Sequence, residues 1–189
     1  DECAVPELND GEILIKTEHW SIDPAMRGWT NDAPNYMPPV ELGTAMRSFA
    51  VGEVVASRNP EFSEGEIVSG LLGWQRFAVS DGSNVQGRFT NTDLPSSLAL
   101  GILGLNGVTA YFGLLDICEP KEGDTVVVST AAGAVGSAVG QIAKLKGCRT
   151  VGITGSDEKV DLCKESFGYD AAINYRTGDL GAALQQACP

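Results

Sequence analysis

The pattern of apolar and polar positions changes character near residue 97. Before that point, short alternating or apolar runs are separated by Gly, Pro, Asn and Asp, a pattern typical of an all-β region. These runs predict strands at 12–16, 50–56, 66–72 and 75–79, and a long loop over 29–39. The first part of the chain is therefore expected to form a small irregular barrel or sheet.

After residue 97 the spacing alternates between helical and strand periods. A helical stretch from Leu98 to Cys118, with breaks near Gly104 and Gly107, comes first. The following series comprises strand 125–130, helix 134–146, strand 150–154, helix 157–167, strand 171–175 and a short helix over 179–187. A β-α-β-α-β order of this kind predicts half of a doubly wound parallel sheet. We therefore expect a β-rich domain over 1–97 and an α/β domain over 98–189.

The segment that joins the first of these strands to its helix carries the clearest chemistry. It reads Ala131-x-Gly133-x-x-Gly136, which is the G-x-G-x-x-G spacing with alanine in the first place. Between a strand and a helix, such glycines let a pyrophosphate approach the backbone and let the helix pack closely on the strand. The free N–H groups at the helix start then face the anion. The segment predicts a dinucleotide-binding loop.

Residues near position 155 indicate which dinucleotide binds. An acidic residue about 20 positions beyond the fingerprint usually binds the ribose 2′-hydroxyl of NAD, but Gly155 and Ser156 stand there instead. Ser156 can cap the next helix, whereas Lys159 puts a cation into its first turn, against the helix dipole. The 2′-phosphate of NADP would account for this lysine. A surface lysine that pairs with Glu158 or Asp161 is the alternative.

Composition excludes several classes of function. The net charge of −12 argues against nucleic acid or an anionic membrane as a partner, and no apolar run approaches the roughly 20 residues of a membrane span. The five cysteines are scattered, which indicates reduced thiols in the cytoplasm. The single histidine, His19, has no second histidine or nearby cysteine, so no metal site is expected.

Several short sequence segments are informative in combination: SIDPAMRG at 21–28, GVTAYFGL at 107–114, the loop and helix at 131–144, GSDEK at 155–159, and NY at 174–175. In combination they resemble the zinc-independent medium-chain dehydrogenases/reductases, and within them the prostaglandin reductases, plant alkenal double-bond reductases and bacterial NADPH-dependent curcumin-reductase-like proteins. The resemblance implies a GroES-like catalytic domain followed by a Rossmann domain, with NADPH as the hydride donor.

The resemblance also implies roles for individual residues. The pyrophosphate would be held at Gly133, Ala134, Val135 and Gly136, and the 2′-phosphate at Lys159 and Tyr175. Ser156 is a further cofactor-binding candidate from the residues alone, because with Gly155 it stands where an acidic residue would favour NAD. Asn106 and Thr109 would lie on the nicotinamide side. A half-buried strand aromatic is the alternative role for Tyr175.

Candidate substrate-pocket residues are Tyr36, Phe49 and Trp74, and ordinary packing is the alternative role for each. Asp23 and Arg27 are predicted to form a structural ion pair rather than to act in catalysis. The sequence identifies no catalytic residue. Ala25 stands where plant and vertebrate relatives often have tyrosine, so the substrate preference of those relatives is not carried over.

The implied activity is reduction of the C=C bond of α,β-unsaturated ketones and aldehydes, with a small-molecule enone or alkenal as substrate. An NADPH:quinone oxidoreductase and a non-catalytic NADPH-binding protein are the alternatives. The relatives are often homodimers. A complete dinucleotide fold has two halves and this sequence contains one, so we expect an internal portion of a longer protein that is inactive alone.

Overall fold

The computed structural model describes residues 4–5, 7–33, 36–90 and 93–188. The chain folds as two compact units, Asp1–Leu100 and Gly101–Pro189. The boundary between the units lies close to the change of pattern near residue 97.

A five-stranded antiparallel sheet forms the first unit, with the strand order β4-β1-β2-β3-β5. Its strands are β1 (Ile13–Trp20), β2 (Phe49–Ser57), β3 (Ile67–Leu71), β4 (Phe77–Ser80) and β5 (Val85–Arg88). A short helix α1 (Ala25–Trp29) follows β1, and a 3-10 turn (Ser96–Leu100) ends the unit. The side chains of Ile13, Ile15, Val54 and Val68 are fully buried. Alternation along the strands therefore gives the sheet one apolar face.

The strands predicted at 12–16, 50–56 and 66–72 are present as β1, β2 and β3. The strand predicted at 75–79 starts later, at Phe77, because the carbonyl of Gln75 accepts hydrogen bonds from the hydroxyl of Thr17 and the indole of Trp20. Both α1 and β5 were missed. Each is short, and their sequences, AMRGW and VQGR, contain glycine and polar residues instead of an apolar run.

A three-stranded parallel sheet forms the centre of the second unit, with the strand order β6-β7-β8. Its strands are β6 (Thr125–Ser129), β7 (Arg149–Thr154) and β8 (Ala171–Asn174). The helices are α2 (Leu105–Phe112), α3 (Ala134–Leu145), α4 (Asp157–Glu165) and α5 (Leu180–Ala187). Since α3 and α4 join successive parallel strands, the carboxyl ends of all three strands meet at one edge of the sheet. The segments that follow the strands, including the glycine-containing loop, share that edge.

The helical stretch predicted from Leu98 to Cys118 is divided among three elements. The 3-10 turn comes first, then α2, and then a π-helical segment, Gly113–Cys118. Gly104 precedes α2 as predicted, but the break predicted at Gly107 is wrong, since this residue lies inside α2. Gly107 instead packs directly against the backbone of Ile102, because a Cβ there would lie 1.7 Å from the carbonyl oxygen of that residue.

Polar contacts fix the end of α3 against the sheet. The ammonium of Lys144 pairs with the carboxylate of Asp170, which also accepts hydrogen bonds from the backbone N–H of Thr150 at 2.8 Å and from its hydroxyl at 3.1 Å. Burial raises the pKa of Asp170, but the hydrogen bonds outweigh it and hold that pKa below its ordinary value. The carboxylate therefore stays ionised and holds three elements together.

None of the helices in the described ranges has the length and apolar character needed to cross a bilayer.

Candidate functional site

The turn between β6 and α3 begins with an unusual backbone conformation. Thr130 has a φ of 50°, in the left-handed region that β-branched residues rarely occupy. Its carbonyl accepts a hydrogen bond from the N–H of Gly133 at 2.8 Å, which closes the turn. A residue held in this way costs on the order of 1–3 kcal/mol, and such residues cluster at functional sites. The sequence pattern gave no indication of Thr130, because nothing in its neighbours demands a positive φ.

Gly136 lets α3 begin directly against this turn. A Cβ at Gly136 would lie 2.4 Å from the carbonyl oxygen of Thr130 and 2.9 Å from the Cα of Ala131. Both are backbone atoms, so no side-chain rotation could make room. At Gly133 the contacts with Thr130 would be looser, at 3.0 and 3.1 Å. The close approach therefore depends on Gly136 above all.

The first turn of α3 presents backbone donors at the carboxyl edge of the sheet. Gly133 is the N-cap, its backbone is extended, and no side chain caps the helix. The N–H groups of the first helical turn have no intrahelical acceptor, and those of Ala134, Val135 and Gly136 belong to this turn. Together with the helix dipole they favour an anion.

Tyr169 holds this turn from inside the unit. Its hydroxyl donates a hydrogen bond of 2.7 Å to the carbonyl of Gly136, and only 4% of the residue is exposed. Burial raises the pKa of the Tyr169 phenol well above its ordinary value, so the hydroxyl keeps its proton. The ring lies against Gly140 and Gly152, where a Cβ would lie 2.3 and 3.3 Å from ring atoms. Sequence analysis missed Tyr169, although the small residues spaced along α3 were a sign that a large side chain packs there.

A second group of polar residues lies where β7 ends and α4 begins. Ser156 is the N-cap of α4, and its hydroxyl accepts a hydrogen bond from the backbone N–H of Lys159 at 3.3 Å. The side chain of Lys159 is exposed, and no carboxylate of the described residues forms an ion pair with it. Asp161, one of its two alternative partners, pairs with Lys164 at 3.7 Å instead. The ammonium of Lys159 is therefore available to a ligand.

Tyr175 lies just after β8, and 49% of it is exposed, so its ring is about half-buried at the end of the strand. Its ring and hydroxyl lie over Gly155, where a Cβ would come within 3.3 Å of both. The side chain of Arg176 reaches the same glycine, with Nε 3.5 Å from the Cβ position. The structure thus brings Gly155 and Tyr175 together beside the start of α4, and it adds Arg176, which sequence analysis missed.

Asn106 and Thr109 lie one turn apart on α2, which packs against α3. Residues spaced by three share one face of a helix. The hydroxyl of Thr109 donates to the carbonyl of Leu105 at 2.7 Å, so it keeps its capacity to accept a hydrogen bond. Their contact with a nicotinamide stays a prediction.

The first unit contains an apolar cleft of about 400 Å³. Its lining residues are Trp20, Ile22, Trp74, Gln75 and Arg76. The indole N–H of Trp74 donates to the carbonyl of Ser21 at 3.0 Å, and that of Trp20 donates to the carbonyl of Gln75 at 3.1 Å. Because both indole donors are satisfied, the rings are fixed in place and offer only apolar surface to the cleft.

Of the three predicted pocket residues, only Trp74 lines this cleft. Tyr36 is 75% exposed, in the segment that follows residues 34–35. Phe49 begins β2 and pairs with Leu71 of β3. The structure therefore does not bring the three side chains together in this cleft.

The ion pair predicted between Asp23 and Arg27 is wrong. The carboxylate of Asp23 accepts a hydrogen bond from the hydroxyl of Ser21 at 2.6 Å. The guanidinium of Arg27 donates to Thr30 at 3.2 Å and to Asn31 at 3.0 Å. Both side chains therefore bond to nearby polar side chains and not to each other.

Two family models match the chain. One, described as the N-terminal domain of oxidoreductase, covers residues 1–87, and the other, described as zinc-binding dehydrogenase, covers residues 134–189. The second description mentions zinc, but no group of three or more His, Cys, Asp and Glu side chains within the described ranges could hold a metal ion.

Similar proteins agree with these matches. The NADPH-dependent curcumin reductase of Escherichia coli is 43% identical over 100% of this chain and 54% of its own length. Prostaglandin reductase 1 of Mus musculus is 48% identical over 98% of this chain and 55% of its own length. The chain thus spans about half the length of these relatives.

The crystal structure of CurA from Vibrio vulnificus in complex with NADPH matches 98% of this chain and 55% of its own chain, with 43% identity and a TM-score of 0.87. This match confirms the predicted fold class, a GroES-like β-rich domain followed by part of a Rossmann domain. The fold, the sequence segments shared with the family and these relatives lead to one assignment. The chain belongs to the zinc-independent medium-chain dehydrogenases/reductases.

Proposed function

We propose that the protein reduces the C=C bond of α,β-unsaturated ketones and aldehydes with NADPH. The observation that carries this proposal is the start of α3, where free backbone donors lie at the same sheet edge as the unpaired cation Lys159. An anion-binding helix start and a separate cation suit the two phosphate positions of NADPH. The curcumin and prostaglandin reductases among the relatives support an enone as the acceptor.

The residues of the second unit fit the cofactor. The backbone N–H groups of Ala134, Val135 and Gly136 would hold the pyrophosphate. Lys159, with Ser156 and Tyr175 beside it, would hold the 2′-phosphate. When bound, NADPH supplies the hydride that the β-carbon of the acceptor receives. Asn106 and Thr109 are proposed to orient the nicotinamide side.

The substrate contacts are proposed in the first unit. The indoles of Trp74 and Trp20 offer fixed apolar walls in the cleft. Such surfaces suit the carbon skeleton of an enone and exclude water from it. Phe49 and Tyr36 do not line this cleft, and their contact with a substrate stays a prediction. Negative charge that develops on the substrate carbonyl oxygen requires a hydrogen-bond donor, since no metal is invoked.

The described cysteines Cys118, Cys148, Cys163 and Cys188 are free thiols. Free thiols favour a reducing compartment, and we propose the cytoplasm. A homodimer stays a prediction.

The function is tested on the whole protein that contains these residues, by the consumption of NADPH with an aryl enone, 4-phenylbut-3-en-2-one, as the acceptor. We expect NADPH oxidation with formation of the saturated ketone, identified by mass spectrometry. The saturated ketone itself is the matched control and should give no oxidation. Turnover of p-benzoquinone without turnover of the enone would instead establish a quinone oxidoreductase, and binding of NADPH without any turnover would establish a binding protein.

Lys159→Ala is expected to weaken NADPH binding by about 1–3 kcal/mol, because a charge-assisted contact with the 2′-phosphate is lost. NADH binding should hardly change, because NADH lacks that phosphate. Dissociation constants for both cofactors provide the measurement. Lys164→Ala is the matched control, since Lys164 lies on the same helix in its last turn. Equal losses for NADPH and NADH would contradict the assignment.

A further inference from the structure

Arg176 is an exposed cation at the carboxyl edge of the parallel sheet. It follows Tyr175, and its guanidinium carbon lies 5.7 Å from the centre of the Tyr175 ring. Both side chains lie against Gly155. Within the part of the chain that the structure describes, no carboxylate forms an ion pair with Arg176. An exposed guanidinium therefore lies over a glycine that offers only backbone.

Asn174 fixes the position of this arginine relative to α4. Its side-chain amide donates to the carboxylate of Asp157 at 2.7 Å, and its side-chain oxygen accepts from the backbone N–H of Arg176 at 3.1 Å. The backbone N–H of Thr177 also donates to the carbonyl of Asn174 at 3.2 Å. The turn that bears Arg176 is thereby tied to the first turn of α4, which also bears Lys159.

The charges at this place favour the binding of an anion. Two cations without carboxylate partners, Lys159 and Arg176, lie beside the start of α4, where the helix dipole is already positive. Asp157 is engaged by the amide of Asn174, and Glu158 is the other carboxylate of the first turn. The chain as a whole carries a net charge of −12, so two cations beside the start of one helix run against the overall charge. A bound dianion would neutralise both.

We infer that Arg176 is a second cation for the 2′-phosphate and a determinant of the preference for NADPH over NADH. The inference rests on the proposed function. Guanidinium groups bind phosphate oxygens through two parallel N–H donors, whereas an ammonium acts as a single point charge. Arg176 and Lys159 therefore hold the phosphate from the turn after β8 and from the first turn of α4.

The test measures dissociation constants of NADPH and NADH for the wild type, Arg176→Ala, Arg176→Lys and Lys159→Ala. We expect Arg176→Ala to weaken NADPH binding about 10-fold or more, as for a lost charge-assisted contact, and to leave NADH binding unchanged. Arg176→Lys should keep part of the preference, which shows that the charge matters and guards against a variant that fails to fold. Lys146→Ala is the control for loss of a positive charge, because Lys146 lies at the C-terminal end of α3. It should change the dissociation constant of neither cofactor.

The outcomes separate this inference from the proposed function. Equal weakening of NADPH and NADH by Arg176→Ala would mean that the guanidinium contacts a part shared by both cofactors, and would overturn the inference. No effect on either cofactor would overturn it as well. In both cases, a selective loss of NADPH binding in Lys159→Ala would leave the proposed cofactor in place. A wild type that binds NADH as tightly as NADPH would instead contradict the proposed cofactor itself.

Discussion

Gly136→Ala is expected to destabilise the second unit by about 3 kcal/mol or more and to abolish NADPH binding. The added methyl would lie 2.4 Å from the carbonyl oxygen of Thr130 and 2.9 Å from the Cα of Ala131. These atoms belong to the backbone of a turn that a hydrogen bond to Gly133 already closes. The strain can be relieved only if α3 moves away from β6, and that movement displaces the N–H groups at the helix start.

Urea unfolding followed by far-ultraviolet circular dichroism measures the loss of stability, and the dissociation constant of NADPH measures the loss of binding. Gly113→Ala is the matched control, because Gly113 has a helical φ of −59° and a Cβ there would meet nothing within 4 Å. This control should be neutral or slightly stabilising, since alanine favours a helix more than glycine does. Wild-type stability and affinity in Gly136→Ala would contradict the packing described for this turn.

Tyr169→Ala is expected to cost about 3–5 kcal/mol in the free energy of unfolding, as for other large aromatic residues removed from a core. Tyr169→Phe should cost less, about 1 kcal/mol, because the ring still packs against Gly140 and Gly152 and only the hydrogen bond from the phenol to the carbonyl of Gly136 is lost. The phenylalanine variant should also bind NADPH more weakly, because the Tyr169 hydroxyl no longer holds the first turn of α3 in position.

Both tyrosine variants are measured by the same urea unfolding, with NADPH affinity as the second readout. Tyr111→Phe is a suitable control, because Tyr111 is 51% exposed and contacts Phe112 edge-on. If Tyr169→Phe were as stable as the wild type and bound NADPH equally well, the hydrogen bond to Gly136 would have no role in holding the turn.

The elements with a strong period could be predicted from the sequence. The β-α-β-α-β series is present in order, because apolar strand runs alternate there with helical periods and glycines separate them. The cap at Ser156 was also predictable, since a serine before a helical run satisfies a backbone donor locally. The helix α1 and the strand β5 were not predictable, because both are short and are stabilised by the contacts around them.

The site divides in the same way between local and tertiary determinants. The glycine spacing and the position of Lys159 in a first helical turn are local properties, and the sequence by itself determined them along with the fold class. Only the tertiary structure placed Tyr169 beneath Gly136 and Arg176 over Gly155. These contacts join residues that lie far apart along the chain, so they depend on the order and register of parallel strands, which the period of a single strand does not encode.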